Sequence, residues 1–195
     1  MDSPPSRKQL THDRIVTTAA RAIRRGGFHG VGVAYIMKEA GLTHGGFYAH
    51  FASRNALLTE ALDRAGEEGA ARVAKEVATR RKQGASAFRA LVEGYLAERH
   101  LGASERMCAV AALASEMPRQ SPEVREAAAQ RVRGLVTLVE NSLPPGVSAT
   151  SAPVIACQLV GALQLARALG NNAAGKALLA ASRDALLVQY DRPVA

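Results

Sequence analysis

The chain is 195 residues long, 48% apolar and 4% aromatic, with two Cys and no Trp. That suffices for one ordinary domain, or for a small module joined to a larger one, and it excludes a chain disordered throughout. The net charge of +8 points toward a polyanionic partner. No apolar stretch reads as long enough to cross a bilayer, and Met1–Gln9 is too polar for a secretory signal. A cytoplasmic protein with no membrane partner is therefore expected.

Ala and Leu dominate and β-branched runs are scarce, which predicts an all-α chain. Apolar residues at Ile15, Ala19, Ala22 and Ile23 mark one face of a first helix over Thr11–Arg25, stopped by Gly26-Gly27. Val33, Ile36, Met37 and Ala40 mark a short second helix ended by Gly41. Thr43 is predicted to cap a third helix through His50, with Phe47 and Phe51 turned inward. Ser53 caps a fourth, whose stripe reads Leu58, Leu62, Ala65, Gly69, Val73 and Val77; running to about Arg81, it would span about 40 Å. Phe88, Leu91, Val92, Tyr95 and Leu96 form the next stripe. Met107–Met117 is apolar on nearly every side and is expected as one central helix. Val124, Ala128, Val132, Leu135 and Val139 define an amphipathic helix ending at Pro144-Pro145-Gly146. Val147–Ala152 reads as a loop, and two last helices follow, about Pro153–Leu169 and Asn172–Tyr190. No strand, repeat or low-complexity tract is found.

Two short helices joined at Gly41 have the spacing of a helix-turn-helix, because Gly supplies the left-handed residue that lets them cross steeply. The second presents Thr43, His44, Gly45, Gly46, Tyr48 and His50 outward. Two glycines cost such a helix roughly 1–2 kcal/mol relative to Ala, which DNA approaching the backbone would justify. Glycines serving tight packing in a plain helical hairpin are the alternative. Residues 1–60 hold eight Lys/Arg against four Asp/Glu, and four of the five His. Half of the net charge thus sits in the first third. Cys108 and Cys157 show no metal-ligand spacing and read as buried small hydrophobes. Nothing resembles a phosphate loop, a nucleophile elbow or a carboxylate–histidine metal set, so no enzyme and no cofactor is expected.

The run Ala40-Gly41-Leu42-Thr43-His44-Gly45-Gly46-Phe47-Tyr48-Ala49-His50-Phe51, followed by Ser53-Arg54-Asn55-Ala56-Leu57-Leu58, closely resembles the DNA-binding domain of TetR/AcrR-family regulators. Gly26-Gly27-Phe28 and Ile36-Met37 fit the same pattern, so the resemblance covers about residues 12–62. A weaker likeness to one branch's regulatory domain involves Tyr95-Leu96, Met107–Leu113 and Glu116. The resemblance implies that Thr43 caps the recognition helix and meets a phosphate, and that His44, Gly45 and Gly46 enter the groove with His44 as base reader. It further implies that Tyr48, His50 and Arg54 contact the DNA backbone; Arg54 stands where the family usually has Lys. Arg7 and Lys8 are a candidate flexible basic arm, with a plain solvated terminus as the alternative. Gly32 and Met37 depart from the pattern, the first in place of a Thr or Ser cap, the second in place of a small residue.

The organisation expected is a three-helix head over residues 1–55, joined by a long helix to an effector-binding and dimerisation bundle over 56–195, about nine helices in all. The last two helices carry apolar residues on two faces: Ile155, Leu159, Ala162 and Ala166 against Val154, Leu165 and Leu169, and Leu178, Ala181, Ala185 and Val188 against Leu179, Leu186 and Leu187. A four-helix bundle across a homodimer would use both; an intramolecular core is the alternative. Tyr95, Met107, Ala111, Met117 and Gln158 are the expected lining of an effector site for a small apolar molecule. The function implied is a homodimeric repressor released from a palindromic double-stranded DNA operator by that effector. An activator of the same family and a ligand-independent, nucleoid-type DNA binder are the alternatives.

Overall fold

The computed structural model describes residues 4–102 and 104–191, and among these it contains helices and no strand. The first helix, α1, spans Arg7–Gly26 and starts four residues before the expected Thr11. Ser6 and Gln9 explain the difference: the Gln9 amide donates to Ser6 Oγ at 3.2 Å and the Ser6 amide to Gln9 Oε1 at 2.7 Å, a reciprocal cap that satisfies two end donors. Arg7 and Lys8 are therefore helical, not a free arm. Ile15, Val16, Ala19, Ala20 and Ile23 form the buried face of α1.

Helix α2, Val33–Glu39, and a 3₁₀ helix, His44–Ala49, complete the head. Helix α3, Arg54–Arg81, is held at its start by the Ala56 amide on Ser53 Oγ at 3.0 Å. It buries Leu57, Leu58, Ala61, Leu62 and Ala65 against the head, while Gly69 and Val73 beyond them line a cavity. Helices α4 (Ala87–Tyr95), α5 (Ala109–Leu113), α6 (Pro122–Glu140), α7 (Ala152–Leu169) and α8 (Ala173–Tyr190) form the second module.

The apolar core separates into two clusters. The first gathers the head with Leu57–Ala65 of α3, and also takes in Ala109, Leu113, Met117, Val124, Ala127 and Ala128. The second joins α4 and the inner faces of α6, α7 and α8. The junction expected near residue 55 thus falls inside a continuous core, and elements from beyond it seal the underside of the head.

Met107–Met117 is not one helix. Only Ala109–Leu113 is α-helical, flanked by 3₁₀ turns at Ser104–Arg106 and Met117–Arg119. Pro118 lacks the amide an α-helix requires and disfavours helical backbone at Met117 before it, so the segment breaks there. A second correction concerns Ala149–Leu169: its length and mean hydropathy of 1.5 suffice to cross a membrane. This helix is apolar on two sides. Ile155, Leu159, Ala162 and Ala166 are buried against the module, whereas Val154, Leu165 and Leu169 are 53%, 60% and 48% exposed. Cys157, expected to be buried, is exposed on this helix, and Cys108 is half-buried; both are free thiols.

Candidate nucleic-acid interface and ligand cavity

The turn between α2 and the 3₁₀ helix is built around Gly41, at φ +70°. Its amide donates to the Lys38 carbonyl at 3.0 Å, and the Leu42 amide to the Met37 carbonyl at 2.9 Å. This pair of bonds closes a helix end around a left-handed residue, the conformation Gly adopts without a Cβ penalty. Gly32 begins α2 with extended backbone and no side-chain cap. Thr43 occupies the capping position of the recognition segment, yet its side chain makes no capping bond. The first turn closes through the Gly46 amide on the Thr43 carbonyl at 3.1 Å instead. The Thr43 hydroxyl is left at the exposed surface.

The recognition segment divides cleanly into an inner and an outer side. Phe47 is 2% exposed and stacks on Phe51, with ring centroids 5.6 Å apart. Met37, at 0% exposure, fills the angle between the two elements, and its terminal methyl lies 3.7 Å from where a Cβ on Gly46 would sit. Thr43, His44, Gly45 and Tyr48 are exposed, Tyr48 by 73%. A Cβ on Gly45 would meet nothing within 4 Å, so no internal contact demands glycine there.

His50 is half-buried beside His12, and its Nδ1 atom is buried without a hydrogen-bond partner among the described residues. Burial first, then the charges of His12 and Lys8, hold its pKa below the ordinary histidine value. His12 stacks on Phe51 and meets Glu60 at 2.6 Å. Arg54, at the start of α3, donates to the Phe28 carbonyl and, at 3.4 Å, to that of Val31. Its guanidinium thus ties down the loop after α1, whose carbonyls have run out of helical partners.

Three contacts fasten the head to the second module. Arg24 Nη2 donates to Glu68 Oε2 at 2.6 Å; the Arg24 side chain is 1% exposed and that of Glu68 27%. Arg25 reaches out of the head to Glu105 at 2.5 Å, while its second partner, Glu39 at 3.1 Å, belongs to the head's own α2. The Phe28 amide donates to Glu116 Oε2 at 2.9 Å. Gly27 at φ +74° makes room for that carboxylate, because a Cβ there would fall 2.2 Å from Glu116 Oε1.

Between α3, α4 and α6 lies a cavity of ≈ 220 Å³. Val73, Leu91, Val110, Leu135, Leu138 and Leu163 supply its apolar wall; Gly69 and Gly134 leave open space where a Cβ would sit, and Gly66 and Gly94 make room for the side chains of Arg131 and Glu76. Arg72, Glu76, Arg99, Arg106 and Arg131 are its charged lining. The Tyr95 hydroxyl is buried beside the Cys108 thiol without a hydrogen-bond partner among the described residues. Burial and that neighbour push its pKa well above the ordinary tyrosine value.

Residues 15–61, spanning this helix-turn-helix and the start of α3, match the family described as bacterial regulatory proteins, tetR family. The head thus resembles the DNA-binding domain of that family. No curated protein sequence matches the chain. Solved structures similar to it across nearly its full length include a TetR-family transcriptional regulator from Cytophaga hutchinsonii, at 17% identity and TM-score 0.75, covering 96% of this chain and 98% of that one. A TetR-family regulator from Agrobacterium tumefaciens has 23% identity and TM-score 0.72, covering 94% and 98%. The multidrug binding protein EbrR, solved with imidazole, has 21% identity and TM-score 0.64, covering 98% and 99%. The whole chain therefore has the TetR fold, a helix-turn-helix head on a helical second module.

In this TetR fold the five residues expected to line an effector site do not converge. Tyr95 lines the cavity. Met107 and Ala111 border a separate polar cleft with Arg24, Glu116 and Arg167. Met117 is packed in the head-side core, and Gln158 is exposed on α7. The cause is the broken helix at 107–117, which turns its residues in several directions. The polar cavity lining was missed because Arg72, Arg99, Arg106 and Arg131 read individually as solvated surface charges. Only the glycine stripe of α3, Gly66 and Gly69, hinted in the sequence that this face does not pack tightly.

Proposed function

We propose that the chain is a sequence-specific, DNA-binding transcription regulator working as a homodimer. The TetR head and the TetR fold carry DNA-binding transcription regulation in general. The observation that supports direct reading is the recognition segment itself: a rigid inner side of Phe47, Met37 and Phe51, and an outer side of Thr43, His44, the bare backbone of Gly45, and Tyr48. A surface of hydroxyls, an imidazole and uncovered amides suits close approach to phosphates and base edges in a major groove. On this reading His44 addresses a base and Gly45 and Gly46 admit the DNA backbone. Thr43, Tyr48 and His50 hold phosphates, and Arg54 acts by fixing the loop that sets the angle of α2.

The exposed apolar side of α7, Val154, Leu165 and Leu169, supports dimerisation. The neighbouring surface of α8, Ala181 and Ala185, is small-residued and also exposed. Large apolar groups at half exposure favour a partner that buries them, and a two-fold copy of the same helices forms a four-helix bundle. The cavity supports binding of a small molecule, as the neighbour described as a multidrug binding protein binds imidazole, and we take a ligand there to control this chain. Release from the operator by such a ligand, acting through the contacts of Arg24, Arg25 and Phe28, makes the protein a repressor working on cytoplasmic DNA.

Selection of the full-length protein against random DNA duplexes tests this. The expected product is a motif with two-fold symmetry and half-sites about 34–36 Å apart, one helical turn. Recovery of no motif, with affinity set by salt alone, would instead identify a nucleoid-type protein.

A further inference from the structure

We propose that the cavity beside α3 takes an organic anion with an apolar body, its acid group held by Arg72 and Arg106. The inference rests on the reading of this cavity as the effector site and names the ligand's class. Four arginines line the space and one carboxylate, Glu76, stands among them. Glu76 is already engaged by Arg80 at 2.9 Å and Arg99 at 3.5 Å, and Arg131 has Asp63 at 3.4 Å. Arg72 donates to the Arg106 backbone carbonyl. No carboxylate lies within 4.0 Å of the Arg72 or Arg106 guanidinium among the described residues.

The field at Arg72 shows the imbalance directly. Burial and the charges of Arg24, Arg106 and Arg99 all depress its pKa, with Glu68 the one opposing charge. Half-buried like charges of this kind are relieved by a counter-ion. A second polar group lines the same cavity: the Tyr95 hydroxyl, 7% exposed, has only the weakly accepting Cys108 thiol beside it. A carboxylate would answer both, accepting from guanidinium and phenol alike. The remaining lining of Val73, Leu91, Val110 and Leu135 suits an aliphatic or aromatic body. No Cβ contact crowds Gly69 or Gly134, whose bare backbones give that body its space.

The site also has a route to the head. Arg72 stands one helical turn after Glu68, which holds the buried Arg24 of α1. An anion on Arg72 removes part of the demand on Glu68 and so changes the ion pair joining head to module. By linkage, DNA must then change the anion's affinity by the same factor.

Octanoate, octan-1-ol and octylammonium share a tail and differ in charge. Calorimetric titration of each into the full-length protein is expected to give octanoate at least tenfold tighter binding than the alcohol, with octylammonium weakest. Arg72→Gln and the exposed-site variant Arg106→Gln should each erase the preference for octanoate over the alcohol. Gly69→Leu, which fills the cavity, should abolish binding of both. Equal binding of octanoate and octan-1-ol, blocked by Gly69→Leu, would overturn the anion assignment while leaving the cavity as a ligand site. A preference that survives both arginine variants would overturn it too. Binding of none of the three would overturn the assignment together with the effector reading.

Discussion

Gly45→Ala is expected to stabilise the folded chain and to weaken its hold on DNA. Gly45 is not among the glycines with positive φ, and nothing lies within 4 Å of the Cβ that Ala would add. The substitution therefore meets no strain, and it removes conformational freedom from the unfolded chain. The gain is about 0.5–1 kcal/mol, or about 1–4 °C in melting temperature for a chain of this size. If DNA packs on that backbone, the methyl group stands in a filled interface and costs roughly 1–3 kcal/mol there. This corresponds to about a 5- to 150-fold weaker Kd. Fluorescence anisotropy on a selected duplex reads the second effect, and thermal unfolding followed by circular dichroism reads the first. An affinity within twofold of the parent would refute the placement of DNA against Gly45. A lower melting temperature would refute the claim that the position is internally unconstrained.

Three further outcomes follow from the contacts that hold the molecule together. Glu68→Ala leaves the buried Arg24 guanidinium without its carboxylate and is expected to cost about 3–5 kcal/mol; a urea titration showing a loss below about 1 kcal/mol would contradict a buried pair. Leu165→Glu, at a side chain 60% exposed in the single chain, should leave the monomer folded but halve the mass seen by sedimentation equilibrium. An unchanged mass would remove α7 from the interface. Burial above all holds His50 and His100 below the ordinary histidine pKa, so the folded state binds fewer protons than the unfolded one. Their contribution to stability is present above about pH 6.5 and is lost as pH falls through the depressed folded values. The urea midpoint should fall from pH 7.5 to pH 5.5, and fall less in the His50→Gln, His100→Gln double variant. An equal fall in both proteins would contradict the assignment.

What was legible in the sequence was local. Gly41 marked the turn because only a left-handed residue closes α2, and Ser53 marked the start of α3 because its hydroxyl serves an amide three residues on. The Ser6–Gln9 cap was equally local and would have placed the start of α1 correctly. The two-sided pattern of α7 separated the two apolar faces, and the structure buries the face of Ile155, Leu159, Ala162 and Ala166 and leaves that of Val154, Leu165 and Leu169 half exposed. The intramolecular partners of Arg54 were illegible for the opposite reason: the carbonyls of Phe28 and Val31 that its guanidinium meets lie more than twenty residues upstream. Glu116 served the head across a gap of 88 residues, a distance no spacing rule spans. The cavity was illegible because its charged lining comes from α3, α6 and the segment between α4 and α5, each of which reads alone as a solvated face. Met107–Met117 misled because uniform apolarity says that a segment is buried but not that it stays helical.

The footprint and stoichiometry of the full-length protein on a duplex from the random-DNA selection test the central claim most directly. Two chains per duplex, protecting two stretches on one face of the DNA about one helical turn apart, are the result expected of two heads carried on paired α7 and α8 helices. One chain per duplex, or protection that spreads evenly along it, would contradict the account.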